Sequence, residues 1–181
     1  MMRKILFLSV FLVYNIAITF ALPFVVLYFC WRSIKDPIYA RDFDQRLGFV
    51  RTSSLKEIGD QKNEVGGGRV LLHCASVGEV NAADPLVKKM LVDGVVEKLI
   101  LSTMTPTGAD RAKRLWGRSI AHNFIPLDWP PCVWLFLLRM KPGAVLIVER
   151  ELWPNFLFAC HCLSIPVLVV NARMSSRSFE R

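Results

Sequence analysis

The sequence predicts an α/β fold, a Rossmann-like parallel sheet behind an N-terminal transmembrane helix. Three observations carry that expectation. Residues 5–31 contain no charged side chain. Beyond residue 69, short continuous apolar runs alternate with stretches of helical periodicity, the pattern of a parallel sheet covered on both faces. The polar, chemically capable side chains then fall in the segments that follow those apolar runs, where open α/β sheets bind their ligands.

The uncharged N-terminal run exceeds the ~20 apolar residues that carry a helix across the hydrocarbon core. A cleaved secretory signal is the competing reading, because Arg3 and Lys4 make a basic start and Ala21 could end a short apolar core. The run continues through Leu22, Phe24, Val25, Val26, Leu27 and Phe29, beyond a usual signal core, which favours an uncleaved anchor. Pro23 is tolerated in a membrane helix. Arg32, Lys35, Arg41 and Arg46 outnumber Arg3 and Lys4, so the positive-inside rule puts the body of a single-pass protein in the cytoplasm. The five cysteines are an odd count with no disulfide framework, in agreement with a reducing compartment. A formal net charge of +8 asks for an anionic partner. Basic residues beside a membrane helix are drawn to anionic lipid by ~1 kcal/mol each. No RNA-binding signature, zinc-finger spacing or basic helix supports nucleic acid instead.

Residues 1–33 are thus expected to be the anchor, 34–68 a juxtamembrane segment and linker, and 69–181 the α/β domain. Residues 34–49 are mixed and charged and predict a short helix at the membrane surface. The linker ends in "VGGG", a flexible turn: a dinucleotide fingerprint needs its glycines after a strand, and these precede one. Strands follow at "RVLLHCA", "KLILST", "AHNFIPL", "GAVLIVE" and "PVLVVNA", with helices over residues 79–92, 108–116 and 155–163. "PCVWLFLLRM", residues 131–140, is apolar on every side of a helix. It is either buried against the sheet or dips one side into the membrane surface.

The candidate chemistry lies in the loops after the strands. Ser76 and Glu79 fit a capping box, in which each side chain satisfies a free amide of the first helical turn. The same glutamate at the mouth of a sheet can accept a proton from a substrate hydroxyl, and Gly78 lets a bulky ligand approach the backbone. In "TMTPTGAD", Thr107 with Asp110 reads as an N-cap, and Thr105, Thr107 and Gly108 equally frame amides that can receive a phosphate. In "VERELWPN", Glu149 and Glu151 face the same way if strand geometry persists. Paired carboxylates there repel one another unless bound to Arg150, Arg173 or Arg177, or used. Asn155 is the expected cap of the next helix. In "NARMSSRS", Asn171, Arg173 and Arg177 suit a phosphate or carboxylate, though such a run is also an ordinary solvated loop. The "CHC" at residues 160–162 is a poor metal site, because adjacent helical positions diverge and no second ligand pair exists. His73 and His122 fall in strands and read as packing residues.

"HCASVGE", "TMTPTG", "ERELWPN" and "NARMSSRS", in this order and spacing and with "QRLGF" at residues 45–49, closely resemble bacterial 3-deoxy-D-manno-octulosonic acid (Kdo) transferases. The resemblance runs from the anchor to the last residue. It implies the GT-B fold, with an N-terminal domain for the lipid acceptor facing a C-terminal domain for the activated sugar, CMP-Kdo. It implies an inverting transfer to a hydroxyl of the lipid A precursor, lipid IVA, in lipopolysaccharide core biosynthesis at the inner membrane, with no metal or other cofactor. By that resemblance Glu79 is the general base and Glu149 helps to stabilise the transition state. Ser76, Gly78, Thr105, Thr107, Gly108, Glu151, Asn171, Arg173 and Arg177 are then binding residues. Arg150 departs from the small polar residue common in the family. The chain stops at Arg181, where a second domain is expected, so it reads as an acceptor half that is inactive alone: a fragment, a truncated gene product, or one part of a split enzyme whose donor domain is a separate chain. The alternative is a membrane-anchored module that binds lipid or a partner and catalyses nothing. A more distant option, a transferase acting on undecaprenyl-linked substrates, is opposed by the joint "SVGE" and "ELWPN".

Overall fold

The computed structural model describes residues 2–40, 42–51, 69–96 and 99–172; the glycines of the linker and residues 173–181 lie outside them. Five strands form one sheet: β1 (Arg69–His73), β2 (Leu99–Thr103), β3 (Ile120–Phe124), β4 (Pro142–Val148) and β5 (Val167–Val170). Their order is β3-β2-β1-β4-β5, and every neighbouring pair is parallel. Register explains the apolar runs. Ala121, Ile100, Leu71 and Val145 form one row across the sheet, and Leu101, Leu72 and Leu146 form the next row on the opposite face. Both faces are covered, so both sets must be apolar.

Helices α3 (Val77–Val92) and α4 (Pro106–Trp116) close one face. There Val80, Ala83, Val87, Ala112 and Trp116 pack with Leu72, Cys74, Leu99, Leu101 and Val148. Helices α5 (Pro130–Met140) and α6 (Pro154–Cys162) close the other, through Val133, Phe136, Leu137, Phe156 and Ala159. In the helix over residues 131–140, Cys132, Val133, Phe136, Leu137 and Met140 are buried against the sheet, while Leu138 and Arg139 are exposed on the other side, so the helix is not apolar core on every side. Three of these helices begin with proline in the first turn (Pro106, Pro130, Pro154), where its missing N–H costs nothing.

The N-terminal helix α1 (Met2–Lys35) is long and apolar enough to cross a membrane and runs one turn beyond the uncharged segment. The next segment corrects an expectation. Instead of one helix over residues 34–49, α1 runs on to Lys35, a 3-10 turn spans Pro37–Tyr39, and residues 42–50 form the short helix α2 (Phe43–Arg46) and a turn docked on the domain. Gln45 Oε1 accepts the Phe124 amide, covering the free edge of β3. The Arg46 guanidinium donates to the Met104 carbonyl at 2.7 Å and stacks between the rings of Phe29 and Phe124, 4.7 and 4.6 Å from their centroids. Gly48, at φ 91°, lies so close to α5 that a Cβ would stand 2.2 Å from the Cys132 carbonyl oxygen.

Two consequences can be measured. Gly48→Ala should destabilise the chain by roughly 2–4 kcal/mol, combining overpacking with a left-handed backbone. Denaturant unfolding in detergent would check it, and an unchanged midpoint would mean that this turn does not dock. The second concerns acid. Burial pushes His73 and His122 down from an ordinary 6.5 to about 4. Between those values the unfolded chain binds protons that the folded chain refuses, so each histidine makes stability fall as pH is lowered through the window. The raised carboxyls of Glu79 and Asp128 act in the opposite sense. His122→Gln should therefore flatten the acid-side slope of the unfolding free energy relative to the parent chain.

Candidate active site

The strand order reverses between β1 and β4, so the loops that leave them flank one crevice at the carboxyl edge of the sheet. The first is pinned by its serine. Ser76 is the N-cap of α3 in extended backbone, and its Oγ accepts the Glu79 amide at 3.4 Å. The Glu79 carboxylate turns back past the cap to the residue before it, one position beyond the amide a capping box would satisfy. Its Oε2 accepts the Ala75 amide at 2.6 Å, while among the described residues its Oε1 holds only a 3.3 Å contact from the Ser76 hydroxyl. One oxygen is thus firmly fixed, and the other has capacity left.

Glu79 is 8% exposed, and its acidity reflects a contest. Burial raises its pKa, and the Ala75 amide pulls it back. The charge of Glu151 raises it again, the Ser76 hydroxyl lowers it and Glu149 adds a smaller increase; the outcome is above the ordinary carboxyl value. Glu149 and Glu151 therefore both act electrostatically on the same carboxylate. Their geometry differs from the expectation. The strand stops at Val148, and Glu149 takes φ 65° in the left-handed region with its amide bonded to the Val170 carbonyl at 2.9 Å. Strand alternation therefore does not relate Glu149 to Glu151. Both are half-buried, whereas Arg150 is exposed.

The second loop is bonded to the first through Met104 N–H and the Ala75 carbonyl at 3.2 Å. Thr105, not Thr107, caps α4, its Oγ1 accepting the Gly108 amide at 3.2 Å; Thr107 is exposed and donates to Thr105. Gly108 is buried where a Cβ would meet Thr105 Oγ1 at 3.1 Å and the Ser76 backbone at 3.6 Å, so its smallness lets two helix starts meet. Gly78 is exposed, and a Cβ there would meet nothing nearer than Ser76 Oγ at 3.7 Å. Asn171 ends β5, exposed and at φ 54°. Arg173 and Arg177 lie outside the described residues.

Asp128, which the sequence analysis did not single out, holds the far end of the Glu149 loop. Trp153, the N-cap residue of α6, makes no side-chain cap bond, and Asn155 lies inside the helix. Asp128 supplies the cap from the loop after β3, accepting the amides of Asn155 at 3.0 Å and Phe156 at 2.8 Å, while Asn155 Nδ2 donates to the Asp128 carbonyl at 2.6 Å. Its one sequence signal is a lone acid between apolar residues in "PLDWPP". Among the described residues no three His, Cys, Asp or Glu side chains gather as metal ligands, and in "CHC" Cys160 is buried while Cys162 is exposed.

Comparison with known proteins gives these loops a family. A family profile described as 3-deoxy-D-manno-octulosonic-acid transferase (kdotransferase) matches residues 41–181. A 3-deoxy-D-manno-octulosonic acid transferase of Haemophilus influenzae is 33% identical over 159 residues, 88% of this chain and 35% of that protein. One from Bordetella pertussis is 36% identical over 117 residues, 62% of this chain and 27% of that protein, and one from Rickettsia typhi is 32% identical over 113 residues, 61% and 24%. The chain thus spans about a third or less of the length of these relatives, matching their N-terminal part. On the profile match over most of its length, the chain belongs to the 3-deoxy-D-manno-octulosonic-acid transferase family.

Proposed function

We propose that residues 1–181 form the acceptor half of a GT-B glycosyltransferase that moves Kdo from CMP-Kdo to a hydroxyl of the lipid A precursor, lipid IVA. The observation that carries this reading is the Glu79 carboxylate, held by one oxygen, raised in pKa by burial and by two neighbouring acids, at the crevice of the sheet. A base of raised pKa is better matched to the proton it removes near neutrality. Glu79 takes the acceptor's hydroxyl proton through Oε1 while the acceptor's own oxygen attacks the anomeric carbon from the side opposite the departing CMP; the new C–O bond forms as the bond to CMP breaks, which inverts the configuration. Glu149 contributes negative charge where the sugar becomes positive. No metal takes part in this scheme. Ser76 and Thr105 shape the helix starts that border the acceptor, with Gly78, Thr107, Gly108 and Glu151 around them. Asn171, Arg173 and Arg177 supply groups suited to its phosphates. CMP-Kdo is held by a donor domain that corresponds to the part of the relatives beyond this match, whether in one chain or a separate one. Helix α1 holds the domain to the cytoplasmic face of the inner membrane.

Three outcomes test this. Joined to the remaining part of a relative, the Glu79→Gln variant should keep its fold, since the amide oxygen still accepts the Ala75 N–H. It should lose transfer by about 10²–10⁴-fold in kcat; near-normal turnover would leave a cap with no catalytic part. The parent's activity should fall on the acid side at a higher pH than an ordinary glutamate gives, because Glu79 must be ionised to act. Glu151→Gln removes the neighbouring charge that raises the Glu79 pKa more and should move that limb to lower pH, which rate profiles would read directly. Finally, residues 1–181 should sediment with membranes at neutral pH and physiological salt, and their recovery in the soluble fraction would refute the anchor.

A further inference from the structure

The long helix touches the domain along most of its length. Near its start Phe11 packs on Phe158 of α6, with ring centroids 5.0 Å apart. Next, the Tyr14 hydroxyl donates to Asp128 at 2.8 Å, and Trp129 Nε1 donates to the Thr19 hydroxyl at 3.3 Å. Near its end Phe29 packs on Phe43 at 5.6 Å and under Arg46. From Phe11 to Phe29 an α-helix rises about 27 Å, close to the ~30 Å thickness of the hydrocarbon core. A helix crossing the bilayer with these contacts intact would carry Asp128, Arg46 and the first turn of α6 into the hydrocarbon, where a charged side chain costs several kcal/mol.

The two sides of the helix are also different. The half-buried positions Tyr14, Ile18, Leu22 and Phe29 follow one seam toward the domain. Leu12, Ile16, Phe20, Phe24, Leu27 and Trp31 recur every three or four residues on the outer side, each about half or more exposed. The hydroxyls of Ser9, Thr19 and Ser33 donate to carbonyls four residues earlier, so none needs water. A helix lying in a membrane interface ordinarily keeps a polar face in water. Here the protein domain occupies that side. At the helix end the Lys35 ammonium stands 4.2 Å over the Trp31 ring, a pairing suited to the headgroup level.

We infer that α1 lies in the plane of one leaflet, with its seam clamped to the domain and its outer stripe in lipid, rather than crossing the bilayer. The inference rests on α1 being the membrane anchor. It sets the carboxyl edge of the sheet beside the bilayer surface, because the seam meets the domain at the loop after β3 and, through Asp128, at the helix that follows the Glu149 loop.

The test uses residues 1–181 in vesicles of phosphatidylethanolamine and phosphatidylglycerol, with the exposed Cys30 and Cys162 changed to serine. Nitroxide labels go on Leu12→Cys, Phe20→Cys and Leu27→Cys for the outer stripe and on Ile18→Cys and Leu22→Cys for the seam. Their collisions with oxygen and with a water-soluble nickel complex then report depth. The inference expects the two ends of the stripe to be as deep as its middle, and the seam to be shielded from both reagents. A profile deepest at Phe20 and shallow at both ends, with the seam open to oxygen, would show a crossing helix and overturn the inference while keeping the anchor. Failure to join the vesicles would overturn the inference and the anchor together. A second variant with Phe11→Cys and Phe158→Cys should cross-link in the same vesicles under mild oxidation. A reduced pair there, where the same variant cross-links in detergent, would show that the seam opens in lipid and would also overturn the inference.

Discussion

The adjacency of β1 and β4 is the constraint on which the site depends, since two strands and three helices separate them along the chain. The chain winds outward from β1 to β3, then returns past β1 to begin β4. The helices leaving β1 and β4 therefore cover opposite faces, and their first turns diverge around a crevice. Within the central strands the side chains are committed to packing. Beyond the strand ends, backbone amides and acidic side chains can meet without breaking a ladder. That is why Ser76, Glu79, Glu149 and Glu151 belong to segments far apart in sequence and still act on one another.

Glu79 shows how a helix-start contact and a raised pKa combine. A carboxylate that accepts a backbone amide at a helix start is ordinarily made more acidic. Here burial and the charges of Glu151 and Glu149 oppose that effect, and the direction is upward. The amide of Ala75 fixes one oxygen, so the second is oriented without being strongly bonded. Neither influence is sufficient alone. Without the amide the side chain would have many rotamers, and without burial and its acidic neighbours it would be a weaker base.

The sheet was legible because a parallel sheet buries both faces, which leaves continuous apolar runs such as "LLHCA" and "VLIV" with little else to explain them. The capping pair Ser76 and Glu79 was legible for a similar reason, since all its partners are local. Long-range polar contacts were not. Asp128 binds amides 27 and 28 residues away and a hydroxyl 114 residues away, and no local pattern encodes either. Gln45 and Arg46 sit in a charged stretch that reads as solvated, yet they are 2% and 4% exposed because the edge amide of β3 and two aromatic rings need covering. Glu149 was placed by alternation, which cannot tell where a strand ends. The strand ends with the apolar run at Val148, one residue short of the expected "GAVLIVE".

The left-handed backbone of Glu149 then has a physical basis. A non-glycine residue in that region costs on the order of 1–3 kcal/mol and persists only when its surroundings fix it. The loop is fixed at both ends. Its start is tied to β5 by the bond from the Glu149 amide to Val170, and its end is tied by Asp128, whose carboxylate holds the first turn of α6. Asp128 is itself 3% exposed and its pKa is raised by burial, opposed by the amides of Asn155 and Phe156 and by the Tyr14 hydroxyl. Losing one of those donors leaves a buried charge under-bonded, which costs more than the bond itself contributes. The order of the loop that carries Glu149 is thereby tied to the seating of α1, so the packing of that helix and the geometry of the loop share one carboxylate.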